Sequence, residues 1–174
     1  MPSTSVTSTS RSAERDVGCP AAPGGTLADY APFYFAPRSP MLYAVHRSNV
    51  DGVVARQDEI VHVVSTCETV VTAGLDFAFT DGHAIMEFSE FFDDLRYLDR
   101  VDWEIMQARY WNDLDGTGER PRRRQAEFLV HGRLPWHLIV RIGVMSEAVR
   151  DQVKAIVVGI EHMPEIIVRR DWYY

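Results

Sequence analysis

Residues 122 to 130 read Arg-Arg-Arg-Gln-Ala-Glu-Phe-Leu-Val, and this abrupt passage from cations to an apolar run constrains the chain more than any other stretch. Ala126, Phe128 and Val130 supply apolar groups for one face of a pleat, and Leu129 for the other. The run from Gln125 to Val130 is therefore predicted to be a strand inside a sheet. Alternation puts Glu127 on the face of Leu129, at the mouth of the strand and beside the arginines. A carboxylate there is well placed to act on an anionic substrate. It is also the kind of charge that usually ends up solvated at a rim. The arginines divide the same way. A guanidinium fork matches phosphate oxygens, while a charge run beside a loop commonly forms a solvated face, here offsetting Asp113, Asp115 and Glu119.

The other apolar runs are short. Phe33 to Ala36 reads as an aromatic strand closed by Pro37 and Pro40, Ile60 to Ser65 as a β-branched central strand, and Asp76 to Thr80 as a half-buried strand. Thr66 to Ala73 suits a short helix ended by Gly74. Phe88, Phe91, Phe92, Leu95 and Leu98 have the spacing of one helical face, and a second helical piece spans Trp103 to Trp111. Asn112 to Pro121 is a loop by composition. Leu138 to Met145 is a strand. Ser146 then caps a helix with Glu147 in its first turn and Val149, Val153, Ile156 and Val157 on its buried face. Ile166 to Arg169 is the last strand. Strands and helices mix without the regular alternation of a doubly wound sheet, so the expected class is α+β. A length of 174 residues suits one domain. Residues 1 to 18, rich in Ser, Thr and charge, are expected to form a disordered tail outside it. The domain then runs from 19 to 174, with firm order beginning near Tyr30.

A formal net charge of −7 argues against nonspecific coating of nucleic acid, although Arg120, Arg122, Arg123 and Arg124 form a local basic concentration. Cys19 and Cys67 make neither a metal-spaced set nor a disulfide framework, which points to a reducing, cytoplasmic setting. There is no secretory h-region and no apolar run of membrane-spanning length. His46, His62, His131, His137 and His162 show no ligand spacing, so no metal is expected. P-loop, GxGxxG and GxSxG motifs are absent.

Pro32 to Tyr43 combines aromatics with Arg38, Ser39, Met41 and Tyr43, a set able to offer a phosphate contact, a hydroxyl and stacking surfaces to a single strand. A core strand followed by a proline-bracketed turn accounts for the same residues. Tyr110 and Trp111 are base-stacking candidates or core plugs. His83, after Phe-Thr-Asp-Gly, is an acid/base candidate or a surface residue.

Several long motifs carry a resemblance. Pro23 to Tyr43, Gly74-Leu-x-Phe-x-Phe-Thr-Asp-x-His83, Asp102-Trp-Glu-x-x-Gln-Ala-x-Tyr-Trp111, Gln125 to Val130 and the terminal Asp171-Trp-Tyr-Tyr resemble, in the same order, the DarT family of DNA-modifying toxins. The likeness covers about residues 20 to 174. It implies the split, two-sheet ADP-ribosyltransferase fold with flanking helices. It implies transfer of ADP-ribose from NAD to a base in single-stranded DNA, thymidine in the better-known branch, and a macrodomain antitoxin as partner. On this likeness Glu127 matches the catalytic glutamate, which stabilises the oxocarbenium-like cation left when nicotinamide departs. His83 matches a histidine of the target-recognition segment that runs from there to Glu127. Arg38, Ser39, Met41, Tyr43, Tyr110, Trp111 and Arg122 to Arg124 fall where the likeness implies DNA contact.

The front of the chain departs from the family pattern. Members begin with a strand bearing a His-x-Thr-like motif that holds NAD, then a helix and a functional arginine. Here 22 residues precede Pro23, without a histidine. Arg15 stands about where the arginine falls and is the candidate for its catalytic, NAD-holding role. The N-terminal strand and helix are expected to be missing, which leaves an open sheet edge. The alternative to an active transferase is then a truncated remnant that binds single-stranded DNA or a partner but not NAD.

Overall fold

Backbone pairing decides how the short apolar runs assemble. The computed structural model describes residues 3–4, 17–47, 56–113 and 116–174. Its strands are β1 (Ser3–Thr4), β2 (Tyr30–Tyr34), β3 (His62–Val64), β4 (Phe77–Thr80), β5 (Phe91–Phe92), β6 (Glu127–His131), β7 (Arg141–Val144) and β8 (Glu165–Val168). They pair in the order β5-β4-β6-β2-β1-β3-β7-β8. The pairings are antiparallel except that of β7 with β8. A four-stranded half, β5-β4-β6-β2, and a three-stranded half, β3-β7-β8, meet through β1, whose Ser3 faces Tyr34 on one side and Val64 on the other. These halves are the two sheets of the expected split α+β fold.

The open sheet edge expected at the front of the chain is corrected by this arrangement. Composition weighs side chains, but the slot between β2 and β3 asks only for backbone N–H and C=O groups, and Ser3–Thr4 supplies them. Order also starts before Tyr30, because Gly18 bridges Thr26 and Cys19 is buried. The rest of the expected tail up to Asp16, Arg15 included, lies outside the described residues.

The helices are α1 (Pro40–His46), α2 (Cys67–Thr72), α3 (Trp103–Gln107), α4 (Glu119–Arg124) and α5 (Glu147–Val157). Hydroxyls of Ser39, Thr66 and Ser146 accept the backbone N–H three residues on and so cap α1, α2 and α5. Gly74, with φ of 69°, follows α2 where the sequence predicts its stop. Helix α5 crosses from β7 to its parallel neighbour β8 and packs Val149 and Val153 on Ile142 and Val144.

The helix expected across Phe88 to Leu98 does not form. Phe91 and Phe92 pair with Thr80 and Phe79 as β5, and the rings of Phe92 and Phe79 stack at 5.2 Å. A cross-strand aromatic pair outweighs the modest helix propensity of phenylalanine. Asp94 then caps a 3-10 helix over Leu95–Arg100 by accepting from Arg96 N–H, and Phe88 is left 78% exposed. The helix expected to reach Trp111 stops at Gln107, because the Arg124 guanidinium takes the carbonyls of Ile105 and Met106 that a further turn would need. The loop expected up to Pro121 ends earlier, at Gly118, whose left-handed φ of 77° starts α4.

The main core lies on one face of the four-stranded half. It joins Phe33, Phe35, Phe79, Phe128 and Val130 to Ile105 and Met106 of α3. The other face carries Cys19, Leu27, Tyr30, Ala78, Ala84 and Leu129.

Candidate active site

Strand β6 sorts its side chains as the alternation predicts. Phe128 and Val130 enter the main core with Ala126, and Leu129 enters the cluster on the opposite face. Glu127 shares the face of Leu129, yet it is only 7% exposed and so is no rim charge. Its backbone N–H donates to Thr80 Oγ1 at 3.1 Å, and that hydroxyl donates to Gly82 O at 2.5 Å. Strand β4 thereby fixes where the carboxylate begins. Glu127 Oε1 lies 3.0 Å from His83 Nδ1. The imidazole is about a quarter open to solvent while the carboxylate is nearly closed. Burying a carboxylate costs several kcal/mol unless it is paired, and His83 is the partner that permits it here. His83 Nε2 makes no hydrogen bond among the described residues.

His83 rides on the loop after β4. The ends of that loop are tied by Asp81 N–H to Glu90 O at 3.3 Å and by Glu90 N–H to an Asp81 carboxylate oxygen at 2.9 Å. Ser89 Oγ donates to His83 O at 2.7 Å. Beside the loop, residues 84 to 91 face residues 17 to 20 across an apolar cleft of about 360 Å³.

The three arginines do not act alike. Arg122 is 8% exposed and reaches Asp81 at 3.2 Å and Glu119 at 3.1 Å. Burial works against its charge, but the bonds to Asp81 and Glu119 prevail and hold the guanidinium above its ordinary pKa. Arg124, 3% exposed, is bonded to Arg38 O at 3.1 Å and to carbonyls of α3. Burial pushes its pKa down. Neighbouring acids and carbonyls take up most of the donors of both side chains. Arg123 is the open one, half exposed and 3.4 Å from Asp102 and Glu119. Ser39 is 2% exposed and its hydroxyl caps α1.

The remaining candidates gather round the last residue. The guanidinium of Arg38 lies 4.4 Å from the Tyr174 ring centre. Tyr43 meets Trp111 and Tyr174 edge-on at 5.7 and 5.0 Å. Trp111 Nε1–H donates to Tyr174 Oη at 2.9 Å, and that hydroxyl donates to Arg38 O at 3.0 Å. Met41 on α1 is half-buried beside them in sequence. Tyr110 stands out at 74% exposure. Sequence reasoning missed Thr80, Asp81 and Ser89. Their hydroxyl and carboxylate groups carry no spacing signal, and only the loop's closure brings them to His83.

A split mixed sheet with a buried glutamate opening its central strand, met by a histidine from the neighbouring loop, is the framework of an NAD-dependent ADP-ribosyltransferase. Residues 1–174 match the family described as "ssDNA thymidine ADP-ribosyltransferase, DarT", and the chain belongs to that DarT family. It is 44% identical over 157 residues to the DNA ADP-ribosyl transferase of Thermus sp. (strain 2.9), covering 89% of this chain and 73% of that protein. The relative from Escherichia coli O127:H6 is 36% identical over 156 residues, covering 89% of this chain and 71% of that protein. The Thermus sp. 2.9 DarT structure in complex with ADP-ribosylated ssDNA superposes with a TM-score of 0.90 at 39% identity, over 97% of this chain and 80% of that one. The same protein in complex with NAD+ gives 0.87 at 41% identity, over 96% and 83%. These likenesses bear out the α+β fold class and the family resemblance read from the motifs.

Proposed function

We propose that Glu127 and His83 carry the transfer of ADP-ribose from NAD to a thymine base of single-stranded DNA. The observation that supports it is the 3.0 Å contact between a buried carboxylate and a partly open imidazole. As nicotinamide leaves, the ribose carbon becomes cationic, and the fixed carboxylate stabilises that charge through a ribose hydroxyl. A ring nitrogen of the base then bonds to the carbon and gives up its proton. His83, bonded through Nδ1, has Nε2 free to receive it. NAD is consumed as substrate, in chemistry of the glycosyltransferase kind. The bound states of the Thermus protein, with NAD+ and with ADP-ribosylated ssDNA, support both ligands here.

The exposed Tyr110, the half-exposed Arg123 and the Arg38, Met41, Tyr43 and Trp111 group are the proposed contacts to the strand. Arg15 keeps the proposed NAD-holding role, supported by the family pattern alone. A macrodomain that removes the mark is the proposed partner, and membership of DarT supports it. Two unpaired cysteines favour the cytoplasm. Among the described residues no helix is long and apolar enough to cross a membrane.

Purified protein incubated with NAD and thymine-containing oligonucleotides is expected to add one ADP-ribose, read by mass spectrometry. Glu127→Gln should lower that rate by about 100-fold or more with the fold intact. Full activity in that variant would overturn the assignment. No adduct, together with oligonucleotide binding that weakens with salt, would instead mark a protein that binds strands without NAD.

A further inference from the structure

Arg122 connects the two halves of the Glu127–His83 pair, and we propose that it is the positioning residue that sets their separation. This rests on the reading of those two groups as catalytic. Arg122 belongs to α4, which runs through Gln125 and Ala126 directly into Glu127 of β6. Its backbone carbonyl accepts the N–H of His83 at 3.0 Å. Its Nη1 donates to Asp81 Oδ1 and to Ser89 Oγ, each at 3.2 Å, and its Nη2 donates to Asp81 Oδ2 at 3.2 Å. Ser89 passes the constraint on by donating to His83 O. Glu119, one turn earlier on α4, holds the guanidinium from behind through Nε and Nη2.

One side chain thus ties the start of the His83 loop, the end of that loop and the helix that delivers Glu127. Gly82 shows how closely the loop is drawn onto it, since a Cβ there would stand 2.2 Å from Arg122 Nη1. Planar, forked donors suit this place. A lysine keeps the charge but cannot hold both Asp81 oxygens and Ser89 at once. A buried arginine with these partners has no free donor face for phosphate, so its contribution to catalysis is geometric. Misplacing a catalytic group by about 1 Å costs on the order of 100-fold in rate.

Arg122→Lys is expected to retain the fold by circular dichroism and to lower kcat on the order of 100-fold. KM for NAD should change little, because the substrate still binds while His83 no longer meets Glu127 squarely. Ser89→Ala removes one link and no charge. It is expected to fold and to lower kcat roughly threefold to tenfold. Ring chemical shifts of His83 should move in both variants. A native kcat and unchanged His83 ring shifts in folded Arg122→Lys would overturn the proposal. If that variant fails to fold, unchanged kcat and unchanged His83 ring shifts in Ser89→Ala would do so. Separately, Glu127→Gln and His83→Ala test the catalytic reading itself. Were both active, that reading would fail, while the ring shifts would still report whether Arg122 positions His83.

Discussion

Glu127 owes its place to one residue of register. Shifted by one along β6 it would point into Phe33 and Phe79, where no imidazole waits and an unpaired carboxylate would be expelled. Alternation made its face legible, but its burial was not, because burial depends on His83, 44 residues away. The arginines show the same limit. Three adjacent cations look equivalent in sequence, yet α4 turns Arg122 and Arg124 inward and leaves Arg123 out. His62 is a second buried ring that spacing could not reveal. It is 2% exposed, edge-on to Trp172 and Tyr173, and neither ring nitrogen has a partner among the described residues. Burial pushes its pKa down from 6.5 to about 4. The unfolded chain therefore binds a proton below about 6.5 that the folded chain refuses until about 4. Stability from this source is complete above 6.5 and falls as pH drops toward 4, by roughly 3 kcal/mol in all. Denaturant melts at pH 7.5 and pH 4.5 should show that loss, and His62→Phe should reduce it.

At the scale of elements, those with local punctuation were the readable ones. Helix α5 was marked by Ser146, by Glu147 and by valines at helical spacing, and it forms where those signals stand. Ser146→Ala should cost about 1 kcal/mol in a urea melt by removing the acceptor of Val149 N–H. A cost near zero would mean that tertiary packing alone fixes the start of α5. Where partners decide, the reading failed. The phenylalanines around β5 fit a helical period but are taken by Phe79 across the sheet. The carbonyls at the end of α3 are taken by Arg124 from a distant helix. In each case the competing bond comes from far along the chain, where local propensity has no view of it.

At the scale of the whole molecule, a two-residue strand joins four strands to three. Ser3 and Thr4 fill that seam with main-chain bonds, which is why composition did not show them. Removing residues 1 to 4 should lower the melting temperature and speed hydrogen exchange at Tyr34, Val63 and Val64 more than at β6. Equal exchange across the sheet would show that the seam carries no load. The nearly closed Glu127 beneath a quarter-open His83 has its own consequence. A solute entering from outside meets the imidazole first, so an inhibitor aimed at the carboxylate must pass the histidine or displace it.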